Sequence, residues 1–162
     1  MNRQKVLLRD AQLQDITSIM ELLDLKAKFD GCPESLVATS AKLAADLFGE
    51  KPLAFVLLAE INHQAVGFAT YHFNYSTFLA KPGIWLDDLY VKAEYRSQKI
   101  GQGLILKLCE IAEKNGCERI DWTVSLFNEA GIKFYQRLGA KVKPNTRLCR
   151  LDNEAISNIS LS

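Results

Sequence analysis

The sequence is poor in the residues that build metal centres and disulfide frameworks. Its four cysteines are Cys32, Cys109, Cys117 and Cys149, and its two histidines are His63 and His72. No two cysteines form a Cys-x-x-Cys pair, so neither a zinc cluster nor a disulfide scaffold is predicted. We therefore expect no metal, and buried, reduced thiols. Cys109 in particular falls on the apolar stripe of a predicted helix, where a free thiol behaves as a small hydrophobic group.

Long apolar runs and a large excess of one charge are also absent. The longest strongly apolar stretch, Leu53–Ala59, is far shorter than the roughly 20 residues that span a bilayer. The N-terminus has no apolar region long enough for a signal peptide. Lys+Arg number 20 against 19 Asp+Glu, giving a net charge of +1, whereas proteins that bind bulk nucleic acid carry a larger cationic excess. We expect a cytoplasmic protein with no membrane or nucleic-acid partner.

Breaks between domains are missing as well. The chain has only four prolines, and no internal repeat or linker rich in Gly, Ser and Pro divides its 162 residues. A hydrophobic fraction of 48% is normal for a folded protein. The sequence therefore predicts a single domain over residues 1–162.

Hydrophobic periodicity predicts alternating strands and helices. The predicted strands are 6–9, 53–60, 65–75, 84–91, 119–124, 141–142 and 146–151. The predicted helices run from Asp10 or Asp15 to about 29, then over 40–48, 101–115 and 128–138, while 153–162 stays open as a cap, a swapped arm or a disordered tail. Three strands joined by short turns indicate an antiparallel meander, and the strand–helix–strand unit over 84–124 requires one parallel pair. The predicted class is α+β: a mixed, mostly antiparallel central sheet with one parallel strand pair and flanking helices.

The segment most informative about function joins the strand that ends at Val91 to the helix that begins at Gly101. Gly101 and Gly103 lie at the helix start, and Arg96 and Lys99 precede them. The N–H groups of a first helical turn are unpaired and, with the helix dipole, suit an anion such as a pyrophosphate. Glycine permits close approach of the backbone, and the two cations can add charge-assisted bonds. Taken alone, the two glycines favour a polar strand–helix connection with glycines for tight packing, and the spacing does not fit a Walker A loop.

This segment resembles the acetyl-CoA signature of the GNAT N-acetyltransferase family. Residues 98–103, Gln-Lys-Ile-Gly-Gln-Gly, fit the family pattern Q/R-x-x-G-x-G/A. Residues 128–140 are similar to its N-x-x-A/S-x-x-F/L-Y-x-x-x-G-F/A segment. The resemblance extends from Leu7 to Leu151 and implies the GNAT fold. Ser97 and Lys99 stand where the family commonly has loop glycines.

Within the family, the sequence resembles the diamine (spermidine/spermine) acetyltransferases. Residues 71–76 and 84–91 are similar to that branch's Y-x-F-x-Y…L-Y-L-E-D-F/L-x-V stretch. Asp87 stands where the branch has Glu, and Ser76 stands where an acidic residue helps to hold the polyamine. These departures favour a short amino-acid-like amine over a long polyamine, while aminoglycosides and peptide or protein amines stay open. The resemblance to this branch also implies a homodimer.

The resemblance implies transfer of an acetyl group from acetyl-CoA, the co-substrate, to a primary amine of a small molecule, by direct attack in a ternary complex. An alkyl amine with a pKa of about 10 must lose a proton before it attacks. The resemblance implies Asp87 as the carboxylate that receives this proton. Asp88, its neighbour on the strand, faces the opposite side. Tyr135 is implied as the proton donor to the leaving thiolate, although its spacing also suits a core aromatic residue beside Phe134.

The implied sites also include residues that act mainly through their backbone. N–H groups of the strand from Leu89 to Val91 are expected to hold the thioester carbonyl. The implied cofactor-binding residues are Leu89, Tyr90, Val91, Arg96, Ser97, Gln98, Lys99, Ile100, Gly101, Gln102, Gly103, Asn128, Gly131 and Tyr135. The implied substrate-binding residues are Asp87, Asp88 and Trp85.

Two other functions are weighed against this one. A non-catalytic acetyl-CoA-binding or interaction module could use the same fold, but such a protein would not need Asn128 and Tyr135, the latter a proton donor at the sulfur. An enzyme that acts on nucleotide phosphates would need a Ser or Thr for Mg²⁺ after the loop. The sequence has none at that spacing.

Overall fold

A five-stranded sheet forms the centre of the fold in a computed structural model, which describes residues 5–161. Its strands are β1 (Leu7–Asp10), β2 (Phe55–Ile61), β3 (Gln64–Ser76), β4 (Lys81–Val91) and β5 (Ile120–Asp121). They lie side by side in chain order, and each pair is antiparallel except the parallel pair β4–β5. The mixed, mostly antiparallel sheet is therefore confirmed.

Five α-helices accompany the sheet in the described residues. They are α1 (Ile16–Phe29), α2 (Ser40–Phe48), α3 (Ile100–Lys114), α4 (Glu129–Arg137) and α5 (Asn153–Ser160). Side-chain caps set where several of them begin, because a side-chain oxygen satisfies an orphan N–H of the first turn. Thr39 caps α2 by accepting from the N–H of Lys42 at 3.2 Å. The predicted bounds of α2 and α3 match to within a residue.

The described chain divides between Thr123 and Val124 into two compact units. The first unit contains the whole sheet with α1, α2 and α3, and the second contains α4 and α5. The organisation of residues 1–162 as a single domain stays a prediction.

The core of the first unit lies where α1 and α3 cover the sheet. Ile19 and Leu22 of α1 are fully buried with Phe68 of β3. Each such side chain contributes about 1.5–3 kcal/mol through burial. Leu104 and Leu108, four residues apart on α3, are also fully buried, as an amphipathic helix requires.

A guanidinium group links the first strand to its neighbours. Arg9 of β1 donates to both carboxylate oxygens of Asp15 at 2.7 and 2.9 Å, and to Glu60 of β2 at 2.7 and 3.0 Å. The two carboxylates are mostly buried, with side chains 12% exposed. The hydrogen bonds from Arg9 lower the pKa of Asp15 below its usual value. Bidentate arginine–carboxylate bonds of this kind are among the stronger polar interactions in proteins.

The predicted strands at 141–142 and 146–151 are wrong. Residues 141–152 form neither helix nor strand, and α5 follows them. A strand needs a hydrogen-bonding neighbour, and the sheet ends at β5. The helix begins after Asp152, whose carboxylate accepts from the N–H of Ala155 at 2.9 Å. The predicted strand 119–124 is reduced to the two residues of β5.

The prediction of buried thiols also fails. Cys109 and Cys149 are exposed, and Cys32 and Cys117 are half-buried. Cys109 directly follows Leu108, whose side chain is buried in the core. A helix turns about 100° per residue, so Cys109 points away from the sheet.

No helix within residues 5–161 is long and apolar enough to cross a membrane.

We predict that Asp15→Asn lowers the free energy of unfolding at pH 7 by about 1–3 kcal/mol, the usual range for hydrogen bonds to a charged group. The folded-state pKa of Asp15 is lowered, so its contribution is present above the unfolded pKa of about 3.9 and is lost as the pH falls through the folded value. Urea unfolding at several pH values measures the difference. Asp24→Asn is the control, because Asp24 pairs with Lys28 in an exposed i,i+4 contact worth about 0.3–0.5 kcal/mol. If the difference in unfolding free energy between Asp15→Asn and wild type does not become smaller below pH 4, the ionised Asp15 carboxylate is not its source.

Candidate active site

An extra residue in β4 interrupts its pairing with β3. Thr70 of β3 lies opposite Asp88, but the next residue, Tyr71, lies opposite Leu86. Asp87 is therefore the additional residue of a β-bulge, which locally breaks the hydrogen-bond ladder and re-aims the side chains beside it. The simple alternation that predicts opposite sides for Asp87 and Asp88 does not apply at a bulge.

The bulge gives the two aspartates different surroundings. Asp87 is exposed, whereas the side chain of Asp88 is 23% exposed. The hydroxyl of Thr70 donates to the Asp88 carboxylate at 2.9 Å and accepts from the Asp88 N–H at 3.0 Å. Burial raises the pKa of Asp88 above its usual value, Asp87 and Asp30 raise it further, and Thr70 and Lys26 act against the rise. Asp88 is thus a positioned carboxylate, and Asp87 is an accessible one.

A lysine from α1 contacts the positioned carboxylate. The Nζ of Lys26 lies 3.8 Å from Oδ1 of Asp88 and forms a close ion pair with Asp30, just past the end of α1. The side chain of Lys26 is 17% exposed, and that of Asp30 is 39% exposed. One ammonium group therefore lies between two carboxylates next to the bulge.

Beyond the bulge, one edge of β4 is open. Strand β5 pairs with β4 only at Ile84 and Trp85, so within residues 5–161 no strand pairs with that edge over 86–91. Because N–H groups alternate between the two sides of an antiparallel strand, at least one of Leu89, Tyr90 and Val91 directs its N–H toward the open edge. This stretch offers backbone donors close to Asp87 and Asp88.

The loop between β4 and α3 contains two non-glycine residues in the left-handed region. Ser97 has φ +63° and Lys99 has φ +64°, a conformation that costs an L-residue other than glycine about 1–2 kcal/mol. The two strained positions coincide with the two places where the sequence departs from the family's loop glycines. The loop keeps the conformation that glycine would favour, although other residues occupy it.

This conformation turns the chain into the first turn of α3. The N–H of Gly103 donates to the carbonyl of Lys99 at 2.9 Å, so the N–H groups of Ile100, Gly101 and Gln102 precede the first helical hydrogen bond and have no helical acceptor. Lys99 forms no side-chain cap. Three N–H groups without helical acceptors therefore lie at the positive end of the helix dipole, an arrangement whose chemistry suits an anion.

The predicted loop residues differ in how they could reach a ligand. Ser97, Gln98 and Lys99 are exposed, whereas the side chain of Ile100 is buried in the core, so only its N–H is available to a ligand. Gly103 serves packing: a Cβ atom there would lie 2.9 Å from Cδ1 of Leu8.

Arg96 is held by aromatic rings next to the loop. Its guanidinium carbon lies 4.7 Å from the ring centre of Phe29 and 5.5 Å from that of Tyr90. Its Nε donates to the carbonyl of Val91 at 3.0 Å. These contacts fix the direction of Arg96 and join the end of α1 to β4 and the loop, a positioning role that the sequence does not reveal.

The predicted residues of the second unit lie on α4 and at its N-terminal cap. The side-chain oxygen of Asn128 accepts from the N–H of Gly131 at 2.9 Å, which confirms Asn128 as the cap of this helix. A Cβ atom at position 131 would lie 2.6–2.9 Å from side-chain atoms of Asn128, so glycine makes room for the cap. Tyr135 is half-buried, and its ring centre lies 5.2 Å from that of Phe134.

The aromatic residues of β3, β4 and the turn between them have different surroundings. Tyr71 is buried in a cluster with Phe55 and Phe73, and burial raises its pKa to about 12. Phe78 is almost fully exposed. Trp85 is half-buried where β4 pairs with β5.

Residues 5–161 contain no group of three or more His, Cys, Asp or Glu side chains that could hold a metal ion.

Sequence reasoning missed Thr70, Lys26 and Phe29 as parts of this region. Thr70 lies 18 residues before Asp88, so only strand register brings them together. Lys26 and Phe29 occur among the charges and apolar residues of an ordinary amphipathic helix, and no local signal marks them.

Comparison with known proteins agrees with this architecture. Residues 17–140 match the acetyltransferase (GNAT) family. Thialysine N-epsilon-acetyltransferase of Bos taurus is 34% identical over 144 residues, which cover 84% of this chain and 84% of that protein. Spermidine/spermine N(1)-acetyltransferase-like protein 1 of Homo sapiens is 32% identical over 140 residues, covering 82% of this chain and 20% of that protein. An integron cassette protein from the mobile metagenome of V. cholerae shares the fold, with a TM-score of 0.80 at 23% identity, covering 99% of this chain and 100% of that one.

We predict that Lys99→Gly stabilises the protein by about 0.5–1 kcal/mol. Glycine relieves the left-handed strain of about 1–2 kcal/mol, and the greater flexibility of the unfolded chain offsets part of this gain. The control is Lys107→Gly in the interior of the same helix, which should destabilise by about 1 kcal/mol. Thermal or urea unfolding of both variants measures the two effects. Equal destabilisation by both substitutions would show that the loop is not strained at Lys99.

Proposed function

Because the chain belongs to the GNAT acetyltransferase family and is an acetyltransferase, we propose that it moves an acetyl group from acetyl-CoA to a primary amine of a small molecule. The observation that supports the proposal is the bulge at Asp87. The carboxylates of Asp87 and Asp88 lie there, next to an open strand edge. Backbone donors for an acyl carbonyl and acidic groups for an amine lie together there.

The loop and the first turn of α3 are proposed to bind the pyrophosphate of acetyl-CoA. The N–H groups of Ile100, Gly101 and Gln102 suit its oxygens, because they lack helical acceptors and lie at the positive end of the helix dipole. Lys99 and Ser97 are exposed beside them and add a cation and a hydroxyl. Arg96, already engaged by Val91 and two rings, holds the loop against β4.

The acceptor amine is proposed to bind next to the bulge. Asp87 is accessible and attracts the ammonium form of the amine, then accepts its proton directly or through water. Asp88 is held by Thr70 and adds negative charge without leaving its place. Trp85 precedes the bulge by two positions and offers an apolar surface to the carbon chain of the amine.

The chemistry follows from the groups of this chain. Acetyl-CoA supplies the acetyl group as a thioester. N–H groups among Leu89, Tyr90 and Val91 donate to its carbonyl oxygen and stabilise the negative charge that develops when the amine attacks directly. Tyr135 donates its phenolic proton to the departing sulfur, and Asn128 and Gly131 shape the start of the helix that carries it. Both substrates are bound together during this attack, so the mechanism is a ternary-complex one.

The substrate class is narrowed by charge. One relative is named for thialysine and another for its likeness to spermidine/spermine acetyltransferases. In this chain Ser76 is neutral, and its hydroxyl accepts from the N–H of Leu79 at 3.4 Å in the turn between β3 and β4. At position 76 the chain therefore lacks the acidic residue that helps to hold a polyamine in the diamine branch, which favours a short amino-acid-like amine.

The proposal is tested by following free thiol release from acetyl-CoA across a panel of amines. The panel contains spermidine, putrescine, lysine, thialysine, an aminoglycoside and a peptide. We expect turnover with a small-molecule amine and double-reciprocal plots that intersect, as a ternary complex requires. Binding of acetyl-CoA without turnover of any amine would favour a non-catalytic binding module, turnover of the peptide alone would favour a peptide or protein amine acetyltransferase, and parallel plots would contradict direct attack.

The cytoplasmic location and the homodimer stay predictions. The homodimer rests on the resemblance to the diamine branch, and size-exclusion chromatography with light scattering would test it.

We predict that Tyr135→Phe lowers kcat by about 10²–10⁴-fold, the usual contribution of a general acid, with little change in the affinity for acetyl-CoA. The phenyl ring preserves packing against Phe134, and the substitution removes the proton donor. Tyr75→Phe serves as the control, since Tyr75 is 63% exposed and has no proposed role. Steady-state kinetics and calorimetric titration with acetyl-CoA separate the two effects, and an unchanged kcat would rule out the acid role.

A further inference from the structure

The ammonium group of Lys26 lies between two carboxylates, next to the bulge where the acceptor amine is proposed to bind. It forms a close ion pair with Asp30 and lies 3.8 Å from Oδ1 of Asp88. Asp88 in turn adjoins the bulge at Asp87. The chain therefore supplies its own cation to the acidic region where the acceptor amine is proposed to bind.

The surroundings of Lys26 favour its ion pairs over hydration. Its side chain is 17% exposed, and that of Asp88 is 23% exposed, so the charges are less screened by water than those of a surface pair. Lys28, two residues later on the same helix, is different: its side chain is 60% exposed, and it pairs with Asp24 of the same helix. Both lysines lie in the last turn of α1 and interact alike with the helix dipole, but only Lys26 reaches the bulge.

We propose that Lys26 is a specificity-determining residue of the acceptor site: its ammonium group balances Asp30 and Asp88, so the site disfavours polycationic amines and favours an amine that also bears a carboxylate. This inference rests on the proposed function and adds the class of acceptor. A diamine brings a second positive charge that Lys26 repels. An amino acid with a side-chain amine also carries a second positive charge, its α-ammonium, but it adds a carboxylate that Lys26 attracts, while its side-chain amine faces Asp87 and Asp88. Charge repulsion of this kind excludes wrong ligands as effectively as attraction selects right ones.

The test compares two acceptors that differ only in the carboxylate. Thialysine is the first, and the diamine that remains when its carboxylate is removed is the second. We expect Lys26→Met, which keeps an unbranched apolar stem, to raise the kcat/KM ratio of diamine to thialysine by about tenfold or more. Lys28→Met is the matched control and should change this ratio by less than about twofold. The KM for acetyl-CoA should stay the same in both variants, which shows that the fold and the loop are intact.

The outcomes separate this inference from the proposed function. Wild-type protein that acetylates no amine contradicts the proposed function and removes the basis of the inference. Wild-type protein that acetylates an amine, with the same ratio in Lys26→Met as in Lys28→Met, overturns the inference alone. If Lys26→Met does not fold, Lys26→Gln replaces it, because it keeps a polar end group and removes the charge. A ratio unchanged in Lys26→Gln would also overturn the inference.

Discussion

One additional residue in β4 determines how the rest of the candidate site is arranged. The bulge at Asp87 moves Asp88 opposite Thr70, and the hydroxyl of Thr70 then bonds both the carboxylate and the N–H of Asp88. With the carboxylate fixed, Lys26 of α1 can approach it. Within the part of the chain that the structure describes, β5 pairs with the other edge of the same strand only at Ile84 and Trp85, so this edge is open beyond them. With regular strand pairing at this point, Asp87 would not be the additional residue of a bulge and Asp88 would not be held beside it by Thr70.

The loop that follows β4 is strained at two backbone positions next to the first turn of α3. Ser97 and Lys99 adopt left-handed conformations that glycine would adopt without cost. The direction in which α3 begins depends on this turn, and α3 in turn anchors its start by burying Ile100. Packing of Ile100, Leu104 and Leu108 under the sheet therefore holds the loop in a conformation that its own residues resist. In this conformation Lys99 is exposed beside the first turn of α3.

Much of the fold could be predicted from the sequence, because local signals and global packing agree there. Thr39 caps α2, and the apolar spacing of Leu104 and Leu108 marks α3. The bulge could not be predicted, since it depends on the register between residues 18 positions apart. The strands expected at 141–142 and 146–151 are wrong for a related reason: short apolar alternation is compatible with a strand, but a strand also needs a hydrogen-bonded neighbour. Gly101 and Gly103 indicate the loop before α3 in the sequence. Thr70 and Lys26 lie in ordinary strand and helix sequence, and only their contacts in the structure relate them to the site.

The central claim is that acetyl-CoA binds along the open edge of β4 and at the first turn of α3. The most direct test is an amide NMR titration of the labelled protein with acetyl-CoA. The account predicts the largest shifts at the N–H groups of residues 97–102 and 89–91, with a smaller response at Asp87 and Asp88. Saturable shifts confined to other residues, with residues 89–91 and 97–102 unchanged, would contradict it.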